Sequence, residues 1–304
     1  EVITLRGLVI DEANRWTNVR RYPGGKGINV SRAIHEMGEE TVAYGFIGGH
    51  DGRAVEILLD EESVPTNFTP IQPETRTNFI ISDIKANQQT RIDAPGPHIS
   101  KRDLQRLEGK IRKITPKPDF MVFSGSAPPG IPDDIYKRLI LEAKGLGIRT
   151  ILDCDGDLLR EGVKAMPHII KPNIWEMEQL LNTKLPTEEA IIAAAHGLVE
   201  SGIEVVVISR GKNGILAVAK DVALKAISPR VKVRSSVGAG DCAVAGLAIR
   251  LAQEKSLAEA CQLAAAMGAA AVLTPGTELC RRSDVERLLP KIKIGEMTPG
   301  SSAQ

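Results

Sequence analysis

Aromatic residues make up only 3% of the 304 positions, so any hydrophobic core here is assembled from Ile, Leu, Val and Ala. No apolar run approaches the ~18 residues that a membrane-spanning helix needs. The formal net charge is +1, which excludes the basic footprint of a nucleic-acid binder. There are four cysteines, Cys154, Cys242, Cys261 and Cys280, and none stands at C-x-x-C or zinc-type spacing. That excludes a disulfide framework and a structural zinc site, and leaves reduced thiols and a cytoplasmic home as the expectation. Glu1 opens without a basic n-region or an apolar h-region, so no secretory signal is expected. The 42% of hydrophobic residues is ample for a sizeable core, as one large α/β domain with an addition or two modest domains.

From Pro23 onward, short apolar runs alternate with helix-period segments. Ile28, Val30, Ala33, Ile34 and Met37 fall at helical spacing, with Gly38 as a stop. Strands are expected at Thr41–Phe46, Phe120–Phe123, Ile148–Leu152, His168–Ile170 and Glu204–Ser209. Helices are expected at Asp51–Asp60, Asp133–Lys144, Asp157–Ala165 and Glu188–Glu200, and two more within the alanine-rich Ala239–Leu273. This alternation predicts a mostly parallel sheet covered by helices, with ligands at the carboxyl ends of its strands. Val2–Tyr22 and Thr77–Asp93 break the rhythm and read as a small separate β-sheet. The polar end after Pro290 reads as a disordered tail.

Four segments carry chemistry. Val237-Gly238-Ala239-Gly240-Asp241 follows a strand-like stretch and opens a helix, so bare N–H groups and positive potential face any anion there. Asp241 beside them is placed to accept a proton, or else simply charges the helix start. Lys171-Pro172-Asn173-Ile174-Trp175-Glu176 puts two oxygen side chains three apart. They suit Mg²⁺ through water, or equally a capping Asn with a first-turn Glu. Ser209-Arg210-Gly211-Lys212-Asn213-Gly214 ends a third strand and, taken alone, is a turn between strands. Gly24-Gly25-Lys26-Gly27-Ile28-Asn29-Val30 is neither a dinucleotide fingerprint, since Val30 stands at the third Gly position, nor a Walker A loop, since Gly27 follows Lys26. None of the five histidines reads as catalytic.

Together with Ser124-Gly125-Ser126-Ala127-Pro128-Pro129-Gly130, these segments resemble in order and spacing the PfkB family of carbohydrate kinases, which includes ribokinase. Within it they look most like the branch of bacterial 1-phosphofructokinases, tagatose-6-phosphate kinases and minor 6-phosphofructokinases. The resemblance implies a ribokinase-like α/β fold, a three-layer sandwich with a mostly parallel central sheet and a small β-sheet lid. The lid would be residues 1–22 and 76–94, the kinase domain 23–75 and 95–290, and the tail 291–304. It implies a homodimer through the lid, and an enzyme using ATP and Mg²⁺ with no nucleic-acid or membrane partner. By the same resemblance Asp241 is the base, and the N–H groups of Gly238, Ala239 and Gly240 form the anion hole. Lys171, Ser209, Gly211 and Gly214 contact ATP, and Asn173 and Glu176 organise the metal. Gly25, Lys26, Asn29, Ser126, Arg76 and Arg15 face the sugar.

A phosphosugar is expected rather than free ribose, because Lys26 and Arg76 are both placed to pair with a phosphate. Ala94-Pro95-Gly96-Pro97 resembles the 1-phosphofructokinase branch, so fructose 1-phosphate leads. Tagatose 6-phosphate, fructose 6-phosphate and a catalytically silent sugar-binding regulator are the alternatives. Relatives usually open with a strand ending in Asn-Pro-x-x-Asp, whereas Glu1-Val2-Ile3 already corresponds to the lid. On that comparison roughly ten further N-terminal residues, a strand plus a turn, are expected in the natural protein.

Overall fold

A computed structural model describes residues 1–297. β1 (Val2–Leu5) and β2 (Trp16–Arg20) pair antiparallel, and Pro23–Gly25 leads into α1 (Lys26–Glu36). A short strand β3 (Phe46–Ile47), α2 (Gly49–Glu61) and β4 (Thr69–Pro70) follow, after which β5 (Phe79–Asp83) and β6 (Gln88–Ile92) return to the first pair. The alternating part then runs α3 (Lys101–Arg112), β7 (Phe120–Ser124), α4 (Ile135–Gly145), β8 (Arg149–Asp153), α5 (Gly156–Gly162), β9 (Ile169–Ile170), α6 (Ile174–Leu181), α7 (Glu188–Glu200) and β10 (Val205–Ser209). β11 (Ile215–Ala219), β12 (Ala223–Ile227), α8 (Ala239–Ala252), α9 (Leu257–Ala271), α10 (Arg282–Leu288) and β13 (Lys293–Met297) complete it.

The central sheet has the order β13-β12-β11-β10-β9-β8-β7. It is buried on both faces, as continuous apolar strands require. Ile151, Ile169 and Val207 face a core shared with α1, α8, α9 and α10. Their neighbours Leu152, Ile170, Val206 and Ile208 face a second core under α3 to α7. These are the three layers. The sheet is mixed rather than mostly parallel: β7 to β10 run parallel, whereas β10 to β13 are antiparallel neighbours. The connections decide this, because Lys220–Val222 between β11 and β12 is far too short for a crossover.

Alanine brings α8 and α9 close. A side chain at Gly246 would place its Cβ 2.7 Å from the Ala264 Cα, so only glycine permits that approach. Ser256 and Glu259 form a capping box that starts α9.

Two further expectations are corrected. Thr41–Phe46 is mostly irregular, with regular strand only at Phe46–Ile47, which pairs with β4 apart from the central sheet. A cavity of about 2400 Å³ runs from beside this pair past β7, lined by apolar groups such as Ile34, Leu107 and Val122, and opens at the carboxyl ends of the strands. In the expected tail, residues 293–297 are an edge strand on β12, because Ile294 and Met297 pack onto the cores; 298–304 lie outside the described residues.

The separate four-stranded sheet, ordered β2-β1-β5-β6, has two unlike faces. Val2 and Ile80 are buried and line the cavity. One residue on, the period of two turns Ile3, Val19 and Ile81 to the opposite face, in cross-strand register with one another.

Candidate active site

The carboxyl ends of β7, β8, β9 and β10 and the first turns of α1 and α8 meet at the mouth of the cavity. Gly238 caps α8 with φ 82°, a left-handed conformation. A Cβ there would stand 2.3 Å from the Leu279 Cδ2, so both backbone and space require glycine. The turn delivers the first amides of α8, which lack intrahelical partners, to the cavity. It also places Asp241 in the first helical turn, only 5% exposed. Asn29 Nδ2 on α1 donates to Asp241 Oδ2 at 2.7 Å. Burial pushes the Asp241 carboxyl up to about 6; the nearby Asp153 charge adds to this, while the Asn29 hydrogen bond, Lys26 and Lys171 oppose it.

Lys26 and Lys171 converge from opposite sides. Lys171, after β9, is 5% exposed and reaches Asp153 Oδ1 at 3.2 Å. Lys26, at the start of α1, reaches the same oxygen at 3.5 Å. Burial works against the Lys26 charge, but Asp153, Glu176 and Asp241 outweigh it and raise its pKa. A Cβ built on Gly240 would lie 3.5 Å from Lys171 Nζ, so that ammonium sits beside the 238–240 loop.

Asn173 and Glu176 form a full capping box on α6. Asn173 Oδ1 accepts from the Glu176 amide at 2.8 Å, and Glu176 Oε2 accepts from the Asn173 amide at 2.8 Å. Burial raises the Glu176 pKa. Both side chains also line the cavity. The helix-start role is therefore present, and it leaves each carbonyl or carboxylate group with acceptor capacity facing the cavity. Among the described residues no group of three or more His, Cys, Asp or Glu side chains is arranged to hold a metal directly. The amide oxygen of Asn173 and the carboxylate of Glu176 are hard oxygen donors, of the kind that suits a magnesium ion keeping most of its waters.

On the other wall Arg76 donates to Ser126 Oγ at 3.0 Å and to the Ala94 carbonyl at 3.3 Å. The structure thus brings Gly25, Lys26, Asn29, Arg76, Ser126, Lys171, Asn173, Glu176, Ser209, Gly238, Gly240 and Asp241 to one cavity. Ala239 lies in the same loop as the first residue of α8.

Three expected residues stand apart. Arg15 is exposed in the segment before β2 and does not line the cavity. Gly211 and Gly214 shape the turn from β10 to β11. At Gly214, φ is 79° and a Cβ would stand 2.0 Å from the Ala226 carbonyl oxygen, so backbone packing demands this glycine. Among the cavity residues that the sequence reading did not single out are Asp153 and Arg91. Asp153 ends the mostly buried strand β8 at its carboxyl end, where such sheets bind ligands, but in the sequence Asp155 and Asp157 stand too near for that position alone to select it.

The pfkB family carbohydrate kinase model matches residues 2–284. A 1-phosphofructokinase of Borreliella burgdorferi is 31% identical over 97% of this chain and 94% of its own length. An ATP-dependent 6-phosphofructokinase isozyme 2 of Mycobacterium tuberculosis is 35% identical over 87% of this chain and 78% of its own. The crystal structure of Escherichia coli phosphofructokinase-2 in complex with substrates and products superposes with a TM-score of 0.92 at 32% identity, covering 95% of this chain and 94% of that one.

Proposed function

The chain belongs to the pfkB family of carbohydrate kinases, and we propose that it uses ATP to phosphorylate fructose 1-phosphate, giving fructose 1,6-bisphosphate. One observation carries the proposal: a single cavity holds a buried carboxylate with a raised pKa, a helix-start anion loop and two lysines. Phosphoryl transfer asks the protein chiefly for positioning and charge stabilisation.

In this reading Asn29 fixes Asp241 Oδ2, and the other carboxylate oxygen takes the proton of the attacking sugar hydroxyl. That hydroxyl oxygen bonds to the γ-phosphorus of ATP as the bond to the β-bridging oxygen breaks, and ADP leaves. The amides of Gly238, Ala239 and Gly240 receive the oxygens on which charge gathers; removing one such donor typically costs about 2.7–4 kcal/mol. Lys171 and Ser209 hold the nucleotide phosphates. Asn173 and Glu176 would hold Mg²⁺ through water, and the ion would neutralise phosphate charge.

Arg76 and Ser126 receive the phosphate already on the sugar, Lys26 faces the sugar from the start of α1 on the transfer side, and Gly25 leaves room at the loop. Support for fructose 1-phosphate comes from the 1-phosphofructokinase relatives, which match nearly the whole chain. Fructose 6-phosphate is the second reading, favoured by the 35% identity to the Mycobacterium tuberculosis enzyme. Residues 1–22 and 76–94 act as a lid over the kinase body of 23–75 and 95–290. The outward row Ile3, Val19 and Ile81, extended by Phe79 and Ile92, is the face on which two lids associate into a homodimer. All four cysteines are free and buried, which supports the reading of a cytoplasmic enzyme.

Steady-state assays with ATP and fructose 1-phosphate, fructose 6-phosphate, tagatose 6-phosphate and ribose test this. The highest kcat/KM is expected for fructose 1-phosphate. A preference for ribose, or no turnover with any sugar, contradicts it.

A further inference from the structure

Asp153 is 2% exposed at the carboxyl end of β8. Burying a carboxylate costs several kcal/mol unless charge and hydrogen bonds compensate. Its compensation is lopsided. Oδ1 takes both Lys26 Nζ and Lys171 Nζ, while Oδ2 is buried with no hydrogen-bond partner among the described residues. A residue serving only to stabilise the fold would be expected to satisfy both oxygens.

The two ammonium groups come from different parts of the chain, the start of α1 and the segment after β9. Two like charges this close repel, and the partly exposed Lys26 side chain is long enough to swing away. Asp153 Oδ1 is the acidic oxygen that both ammonium groups contact. That point adjoins the anion loop, since Lys171 Nζ lies within reach of the Gly240 backbone. We propose that Asp153 is a positioning residue for phosphoryl transfer, holding Lys26 and Lys171 together beside the Gly238–Gly240 amides where the group in transit carries its charge. The inference rests on the kinase reading above.

The same carboxylate has a second consequence. Asp241 is faced by Asp153 from β8, by Lys26 and Asn29 from α1, and by Lys171 from the segment after β9. Of these only Asp153 carries negative charge, so it is the neighbour that helps keep Asp241 protonatable near neutral pH.

The test compares Asp153→Asn and Asp153→Glu with the wild type on the best sugar phosphate. Asp153→Asn should lower kcat about 10²-fold, the usual cost of misplacing a reacting group by an ångström. It should also move the acid limb of the kcat profile to lower pH, because a negative charge beside Asp241 has gone. Asp153→Glu keeps the charge on a longer stem, so kcat should fall while the acid limb stays at the wild-type position. It is also the variant to read if Asp153→Asn does not fold. Independently of turnover, Lys26 should acetylate faster with acetic anhydride in Asp153→Asn, because the charge that raises its pKa is absent. An Asp153→Glu enzyme with wild-type kcat, an Asp153→Asn acid limb that does not move, or unchanged Lys26 labelling overturns the proposal. A wild type inactive on every sugar phosphate instead contradicts the functional reading, and the Lys26 labelling then still decides the role of Asp153.

Discussion

The transfer corner and the sugar wall of the same cavity are built differently. Asp241, Lys171 and Asp153 are nearly sealed from solvent and sit at the ends of strands and the start of α8; Lys171 pairs with Asp153, and Asn29 holds Asp241. Arg76, Ser126 and Gly25 lie on loops at the rim; Ser126 and Gly25 are exposed, and Arg76 is tied by one side-chain bond and carbonyl contacts. A buried, strand-anchored group has a fixed position and a perturbed charge, which suits chemistry. A rim group can adjust to the shape of the incoming phosphosugar, which suits selection. Substitutions in the corner should therefore act on kcat, and those on the rim on KM.

The largest expected effect is that of Asp241→Asn. An amide cannot take the hydroxyl proton, so kcat should fall about 10²–10⁴-fold while ATP affinity changes little. Steady-state kinetics with an independent ATP titration checks this, and an ATP affinity lost in parallel would erase the distinction between corner and rim. Next comes Arg76→Ala, which removes a charge-assisted contact worth about 1.5–3 kcal/mol. KM for the phosphosugar should rise about tenfold or more with KM for ATP unchanged; equal rises would assign Arg76 to both walls.

A smaller effect concerns stability, and its sign is unusual. The folded Asp241 pKa of about 6 lies above its unfolded value, so its contribution favours folding at low pH and is lost as pH rises through about 6. At neutral pH the ionised, buried carboxylate is a net cost to the fold. Asp241→Asn should thus melt a few degrees higher than wild type at pH 7, with the gain vanishing near pH 4. A lower Tm at neutral pH would show that the carboxylate is better satisfied than its burial implies. The smallest effect lies outside the cavity altogether. Val19→Glu on the outward lid face should leave kcat of the monomeric unit unchanged but weaken self-association, read by sedimentation. An unchanged sedimentation profile would remove the lid face from the interface.

What was legible in the sequence follows the same division. Strands buried on both faces, such as Val205–Ser209, announce themselves as unbroken Val and Ile. Gly238 and Asp241 stand out because a helix cannot begin with that turn in many other ways. The sequence Leu152-Asp153-Cys154-Asp155-Gly156-Asp157 is different, since it offers three carboxylates and no spacing rule that selects the first. Strand alternation turns Asp153 to the α1 and α8 side with Ile151, a fact that needs the register of β8 to be known. Thr41–Phe46 misleads because Thr, Val and Tyr have strand propensity, yet only the last residue finds a regular partner. β13 was hidden for the opposite reason: Lys293-Ile294-Gly295-Glu296-Met297 has weak propensity and is ordered by pairing with β12. Arg15, placed by resemblance alone, has no local feature that ties it to the cavity.

The central claim is that the buried carboxylate of Asp241 is the base, and the pH dependence of kcat tests it most directly. Wild type should show a plateau above about pH 7 and a limb falling tenfold per unit below about 6, the pKa that burial gives Asp241. Substrate phosphates also titrate near pH 6, so the residual activity of Asp241→Asn is the necessary partner measurement. The account predicts that the limb flattens in that variant. A limb of the same slope and midpoint in Asp241→Asn would assign the titration to the substrates and contradict the base.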